Sequence, residues 1–316
     1  MTEKPDVLLT TAFWHPEAVR RLEAAYTVHD GTTPEKLEAA LAEAGDRIRA
    51  VATDGINGTP NAVLDRLPKV EIVGNNGVGY DKVDVGYCAG RNIKVCNTPG
   101  VLNEAVAELT LALMLAHARR IPEYHAYVRD GRWEPEGNAP VTMQLSGARA
   151  GIIGLGRIGK AIATRCEAMG MSVAYHGRTD QGLAYPFHPT AKRLAENVDW
   201  LIAILPATPQ TIGMVSREVL EALGPDGVFV NVGRGPLHDE AALIDLLASG
   251  KLGGAALDVF AHEPHVPEAL RKSDKVTLSP HQGSATHVTR IGMGQLVIDN
   301  FDAHFAGEPL LTAVAP

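Results

Sequence analysis

Cysteine is scarce in this 316-residue chain: Cys88, Cys96 and Cys166 are an odd number without ligand spacing, so neither a disulfide framework nor a metal site is expected. Aromatic residues make up only 5% of the chain, and no segment interleaves them with clustered Lys or Arg. With a formal net charge of −8, this argues against nucleic acid as a partner. Long apolar runs are missing too. No stretch reaches membrane-spanning length, so no membrane is expected as a partner. Met1-Thr2-Glu3-Lys4-Pro5 has no apolar signal core, and with the cysteine usage it points to a reducing cytoplasm. Repeats of solenoid period and low-complexity tracts are also lacking. What the chain does have is 45% apolar residues, enough to bury a large core and form about two domains.

The first hundred residues alternate strand-like and helix-like patterns: Val7-Leu8-Leu9, Pro16 to Ala25, Pro34 to Ala44, Arg49-Ala50-Val51-Ala52, Ala62 to Leu67 and Glu71-Ile72-Val73. Such alternation predicts a parallel sheet. A long helix candidate runs from Val101 to about Arg129, apolar nearly all round at Val106, Leu109, Leu111, Leu113, Met114 and Leu115, so both its sides should be buried. A second series begins at Arg149, with strands at Ser172 to Tyr175, Trp200 to Leu205, Val228 to Asn231, Ala255 to Val259 and Val276 to Leu278. The last helical stretch, Thr289 to Ala306, starts after that series is complete, and a first domain short of a covering helix is its natural destination. Between Gly131 and Ser146, a Pro/Gly-rich segment with Trp133 and Pro135 has no clear period and reads as a surface or interacting loop.

The most informative stretch is Ala148 to Gly159, an apolar run that ends in Gly154-Leu155-Gly156-Arg157-Ile158-Gly159 and passes into a helical pattern at Ile162, Ala163, Cys166 and Met169. A glycine-rich turn opening a helix presents backbone N–H groups to a pyrophosphate, which predicts a bound dinucleotide. Gly154 suits the tight turn, Gly156 close approach to phosphate, and Gly159 helix packing on the strand. The expected fold is therefore α/β, with two Rossmann-like or flavodoxin-like parallel-sheet domains and a cleft between them. Residues 1–98 and 287–316 would form a discontinuous substrate domain, and residues 99–286 the dinucleotide-binding domain. NAD-selective sites place an acid about 20 residues past the glycines to hold the ribose 2′-hydroxyl. Here the chain reads His176-Gly177-Arg178-Thr179 instead. A guanidinium and a hydroxyl suit a 2′-phosphate, so NADPH/NADP+ is favoured over NADH/NAD+. The alternative is that Asp180, slightly displaced, reads an NAD ribose while Arg178 is merely solvated.

Three later segments can do acid–base work on an organic acid: Asn231-Val232-Gly233-Arg234-Gly235, Phe260-Ala261-His262-Glu263-Pro264 and Ser279-Pro280-His281-Gln282-Gly283-Ser284. Each lies just past a predicted strand, on the side where open α/β sheets bind ligands. Singly, Arg234 reads as a surface ion pair, His281 as a loop histidine and Glu263 as a helix-start acid. In the order Arg, Glu, His, after the glycine motif, the chain resembles the D-isomer-specific 2-hydroxyacid dehydrogenases. The resemblance runs from about Asn75 to Arg290, through Asn76-Gly77-Val78-Gly79-Tyr80-Asp81, Asn97-Thr98-Pro99-Gly100-Val101, Gly154 to Gly159, Gly233-Arg234-Gly235, Leu257-Asp258-Val259-Phe260 and Pro280 to Thr286. Within that family, the missing acid resembles the NADPH-preferring glyoxylate/hydroxypyruvate reductases.

The resemblance implies reduction of a small 2-oxo acid by hydride transfer. His281 would donate the proton, Glu263 would fix its tautomer and favour the imidazolium, and Arg234 would grip the carboxylate and polarise the carbonyl. Backbone N–H groups of Val78 and Gly79 would hold the carboxylate, and Asp258 would bond the nicotinamide carboxamide. His176, Gly177, Arg178, Thr179, Leu205, Pro206, Thr211, Val232 and Gly283 join the glycine motif in the expected cofactor site. Gly233 stands where the family commonly has Ala or Ser, which suggests a more mobile Arg234 loop. Phe13, Trp14, Asp54, Gly55 and Ile56 would line the substrate pocket, their rings favouring small substrates. His262 and His265 flank Glu263 without another residue at ligand spacing, so no metal is expected. A reductase of bulkier 2-oxo acids of the phenylpyruvate or hydroxyphenylpyruvate class is the alternative, as is a non-catalytic nucleotide-sensing binding protein on the same scaffold. A helix apolar nearly all round would leave a flank in water, so the helix from Val101 and the Gly131 to Ser146 segment are expected to form a two-fold homodimer interface, with Trp133 packed on the partner. The resemblance, whose family embraces through an arm here, implies the same.

Overall fold

A computed structural model of the chain describes residues 4–12 and 14–315, which leaves Phe13 outside the described residues. The chain divides into two compact units, one of Met1–Leu102 with Ser284–Pro316 and one of Asn103–Gly283. The first begins β1 (Asp6–Leu9), α1 (Pro16–Ala25), β2 (Thr27–Asp30), α2 (Pro34–Ala44), β3 (Ile48–Asp54), α3 (Asn61–Leu64), β4 (Ile72–Asn76), α4 (Val85–Gly90) and β5 (Lys94–Cys96). The second holds α5 (Asn103–Ala118), α6 (Ile121–Arg129), α7 (Trp133–Glu136), β6 (Arg149–Ile153), α8 (Arg157–Ala168), β7 (Ser172–His176) and α9 (Ala191–Ala195). It continues through β8 (Trp200–Ala203), α10 (Arg217–Leu223), β9 (Val228–Asn231), α11 (Glu240–Ala248), β10 (Gly254–Leu257), α12 (Glu268–Arg271) and β11 (Val276–Leu278). The chain then returns to the first unit with α13 (His287–Phe305), which packs on α1 and β4.

The first sheet runs β2-β1-β3-β4-β5, and the described pairings are all parallel. Its inner strands β1, β3 and β4 are buried on both faces, as parallel strands covered by helices must be. Val7, Leu9, Ala50, Ala52 and Ile72 meet Leu22 of α1 and Val297 and Phe301 of α13. On the other face, Leu8, Val51 and Val73 meet Leu41 of α2 and Leu64 of α3. Pro16 opens α1, where the His15 ring accepts the Glu17 N–H; Thr33 caps α2 by accepting from Lys36 N. These caps satisfy orphan donors and set where both helices start.

The second sheet runs β11-β10-β9-β8-β6-β7, again parallel throughout the described pairings. From β6 the chain steps to β7 on one side and then to β8 on the other, so the strand order reverses beside β6. Such a switch point opens a crevice at the carboxyl ends of the strands. There the loops after β6, β7 and β8 gather.

The single helix expected from Val101 to about Arg129 is broken. Arg120 adopts φ +49° between α5 and α6, and Pro122 starts the second helix. A proline disfavours helical backbone in the residue before it, and its own missing N–H is harmless only at a helix start. The period carried straight across this break. The short strands β2 and β5 had no clear apolar pattern of their own: the residues of β2 are all half-buried or exposed, and pairing to β1 makes them a strand.

Candidate active site

The turn after β6 brings glycine backbone tightly against the start of α8. Gly154 has φ +103°, and a Cβ there would lie 2.4 Å from the Ile204 carbonyl oxygen. A Cβ on Gly159 would lie 2.2 Å from the Gly154 carbonyl oxygen, so only glycine lets α8 start this close to its strand. Gly156 is different. A Cβ there would meet nothing within 4 Å, and Gly156 caps α8 without a side-chain hydrogen bond. The first-turn N–H groups of α8 are therefore left uncapped beside open space, as Leu155, Gly156, Arg157 and Ile158 must be if they are to hold a pyrophosphate.

Beyond β7, the His176 ring Nδ1 donates to the His188 carbonyl at 2.9 Å, while Arg178 and Thr179 are exposed. Asp180 does not stand at the strand end where a ribose-reading acid belongs. Its Oδ1 accepts from the Tyr175 hydroxyl at 2.7 Å and from Gly182 N at 2.9 Å. Those two donors, Gly182 N–H foremost, hold its carboxyl below the usual range. The loop after β8 carries Leu205, Pro206 and Thr211. The Thr211 hydroxyl accepts from Thr208 N at 2.8 Å and donates to the Pro206 carbonyl at 2.6 Å, so it shapes the loop.

The Arg234 turn follows β9 and is organised by Asn231. Its Oδ1 accepts from Gly233 N at 3.0 Å, and its Nδ2 donates to the Arg234 carbonyl at 2.9 Å and lies 3.0 Å from His238 Nδ1. Because Nδ2 can only donate, His238 Nδ1 must accept, which requires the neutral ring. Burial of His238 pushes its pKa down to about 4 and keeps it so. The mobile loop expected from Gly233 is not found. Gly233 is buried, and a Cβ would come 2.9 Å from the Leu205 carbonyl oxygen and 2.8 Å from Leu237 Cδ1. Close packing, with Val232 also buried, fixes this turn.

Glu263 and His281 meet beside it. His281 Nδ1 and Glu263 Oε2 are 2.7 Å apart, and Glu263 Oε1 accepts from Phe260 N at 3.0 Å. Burial by itself would raise the Glu263 pKa, but the His281 hydrogen bond and charge, the Phe260 N–H and the Arg234 charge together hold it below the usual carboxylate range. Glu263 is therefore an ionised acceptor, and the His281 ring must donate to it from Nδ1.

Asp258 has a structural role that the sequence did not disclose. His281 has a left-handed backbone, φ +54°, uncommon for a side chain with a Cβ. Asp258 holds it there: its carbonyl accepts from His281 N at 2.8 Å, and its carboxylate oxygens accept from Gln282 N at 2.7 Å and Gly283 N at 2.9 Å. Each carboxylate oxygen keeps a second lone pair, so a carboxamide donor could still be taken. The spacing of an acid just past one strand and a histidine after the next carried no sign of this clamp.

In the other unit, the turn at Gly77 to Gly79 has its carbonyls occupied. Asn75 Nδ2 donates to Gly77 O and Gly79 O, each at 3.0 Å, and Asn97 Nδ2 donates to Val78 O at 2.9 Å. The N–H groups of Val78 and Gly79 take none of the hydrogen bonds found among the described residues. Successive free N–H groups in a turn suit an anion. The expected pocket wall is corrected in part. Trp14 is 4% exposed and donates from Nε1 to the Thr53 carbonyl, so it is core. Asp54 is likewise buried, its Oδ1 accepting from Ile56 N and Asn57 N, whereas Gly55 and Ile56 are half-buried.

The family model for the D-isomer specific 2-hydroxyacid dehydrogenase NAD binding domain matches residues 111–283. Glyoxylate/hydroxypyruvate reductase A of Arabidopsis thaliana is 48% identical over 284 residues, 90% of this chain and 90% of that protein. Hydroxyphenylpyruvate reductase of Plectranthus scutellarioides is 46% identical over 275 residues, 87% of this chain and 88% of that one. Among solved structures, the NADPH-dependent glyoxylate/hydroxypyruvate reductase of Sinorhizobium meliloti in complex with NADP and malonate has a TM-score of 0.92 and 44% identity, covering 99% of this chain and 97% of that chain.

Proposed function

Since the chain belongs to the D-isomer-specific 2-hydroxyacid dehydrogenase family, we propose that it reduces small 2-oxo acids, glyoxylate and hydroxypyruvate foremost, to 2-hydroxy acids with NADPH. The observation that carries this is the His281–Glu263 pair at 2.7 Å, with the Arg234 charge acting on Glu263, in the same unit as the glycine cradle. When bound, NADPH supplies a hydride to the keto carbon. The chain must then meet the negative charge that develops on the carbonyl oxygen. His281, with Nδ1–H held by Glu263, would meet it as the imidazolium, giving its Nε2 proton to that oxygen and leaving the neutral ring. Arg234 offers a planar two-pronged donor that fixes the carboxylate and polarises the carbonyl, which a lysine would not do. Val78 and Gly79 contribute backbone donors for the carboxylate.

Arg178 and Thr179 favour the 2′-phosphate, and the engagement of Asp180 with Tyr175 removes the nearest competing carboxylate. Replacing Arg178 with Ala is expected to raise the KM for NADPH and leave that for NADH little changed. Purified protein assayed with a panel of 2-oxo acids and both cofactors tests the reading. Glyoxylate and hydroxypyruvate with NADPH should give the highest kcat/KM. Faster turnover of hydroxyphenylpyruvate would move the chain to the bulkier class, for which the likeness to the Plectranthus enzyme is the argument. No turnover of any 2-oxo acid would favour a nucleotide-binding protein instead. The buried, unpaired Cys88, Cys96 and Cys166 fit a reducing compartment such as the cytoplasm. Among the described residues, no helix is long and apolar enough to cross a membrane. A homodimer is part of the proposal and is argued below.

A further inference from the structure

We propose that Tyr175 is a positioning residue for cofactor choice: its hydroxyl clasps Asp180 away from the ribose end of the site and so lets Arg178 and Thr179 select the 2′-phosphate. This rests on the NADPH reading and names what enforces it. Between the end of β7 and Phe187, Asp180 is the only acid. A free carboxylate there would accept from a 2′-hydroxyl and repel a 2′-phosphate, which is the arrangement that selects NAD. Gly182 N donates to Asp180 Oδ1 at 2.9 Å, and the Tyr175 hydroxyl adds two further constraints. It donates to Asp180 Oδ1 at 2.7 Å and accepts from Gln181 N at 2.7 Å, so one oxygen fixes both the carboxylate and the backbone beside it.

The clasp has a rigid base and a tether. The Tyr175 side chain is fully buried, its ring 5.4 Å from that of Phe187, and its backbone pairs with Pro186 O and His188 N. Gln181 Nε2 donates to the Leu155 carbonyl at 2.9 Å, inside the glycine turn. The loop that carries Arg178 is thereby tied to the loop that would hold the pyrophosphate. The spacing between the two phosphate-binding ends of the site is fixed by one amide and one phenol.

Tyr175→Phe removes the hydroxyl and keeps the ring packing, which makes it the informative variant. Its ratio of kcat/KM for NADPH over NADH should fall about five- to tenfold, since one released charge near a solvated phosphate is an effect of that order. KM for glyoxylate and kcat at saturating NADPH should stay as in the wild type. Adding Asp180→Asn to Tyr175→Phe should restore most of the ratio, because the released group is then neutral. Equal losses with both cofactors, or no recovery in the double variant, would mean that Tyr175 only supports the fold and would overturn the proposal. Gln181→Ala, on an exposed loop, should raise the KM for NADPH alone; an unchanged value overturns the tether. Wild-type protein that prefers NADH would instead sink the NADPH reading itself, and that is measured first. Should the protein not turn over, dissociation constants for NADPH and NADH from fluorescence titration give the same ratios.

Discussion

His281 keeps its left-handed backbone because Asp258 holds the loop at three points, through its carbonyl and both carboxylate oxygens. The ring is thus aimed by the backbone and set in tautomer by Glu263, and neither contact touches the glycine cradle. His281→Ala should lower kcat by about 10²–10⁴, the usual cost of losing a placed general acid, with NADPH affinity unchanged in a fluorescence titration. A matching loss of affinity would mark the histidine as structural. His238 gives a second test, in pH. Its pKa of about 4 in the fold lies below the ordinary 6.5, so between those values the unfolded chain binds the extra proton and stability falls as pH falls. The difference is on the order of 3 kcal/mol. Urea unfolding at pH 7 and about pH 4.5 should show this decline, and His238→Leu should flatten it; equal declines would contradict the assignment. The placement of Arg234, Glu263 and His281 in loops past β9, β10 and β11 was legible because each belongs to a motif that follows a strand-like run. The bonds that Asn231 and His238 make in the Arg234 turn, and the clamp of Asp258 on the His281 loop, were not, because they depend on which backbone groups the fold brings to those side chains. Trp14 misled for the same reason, as position in a loop does not reveal which way a ring packs.

The loops that carry the site are locked to one another as well as to their strands. A Cβ on Gly235 would fall 1.8 Å from the Phe260 carbonyl oxygen, so the Arg234 turn and the loop leading to Glu263 touch backbone to backbone. Gly235→Ala must push them apart by more than an ångström, and a displacement of that size can cost about 10² in rate. The expected result is a loss of that order in kcat/KM for the 2-oxo acid, a stability loss of about 1–3 kcal/mol, and near-normal NADPH binding. Full activity in that variant would show that the two loops need not touch. Among the elements, α1, α2 and β9 were legible to the residue, since Pro16, Pro34 and the turn residues punctuate them. The helix from Val101 was legible in kind and not in extent, because its apolar period continues past the break that Arg120 and Pro122 impose.

The apolar flank that called for a partner lies on the arm and not on α5. Within its own unit, α5 packs against α8, β10 and β11, which bury Val106, Leu111, Leu113 and Met114. Helix α6 has no buried residue at all, and Ile121 is 54%, Val128 55%, Trp133 57% and Val141 100% exposed. These side chains are held in place without being covered: Tyr124 and Tyr127 donate their hydroxyls to Pro140 O and Gly137 O, so the segment folds back on α6 as a shaped arm. A hollow of about 340 Å³ lined by Val128, Gly131, Trp133 and Glu134 opens on it. A preformed apolar surface with a shallow hollow beside an exposed Trp is costly to leave in water, and a two-fold axis is the commonest way to close one. Light scattering should therefore give a dimer at micromolar concentration. Trp133→Ala should weaken it by at least about tenfold, as loss of an aromatic anchor does, while the NADPH affinity of the isolated subunit is retained. A monomeric mass for the wild type would mean that the arm serves its own subunit, and the Trp133 exposure would then need another partner to explain it.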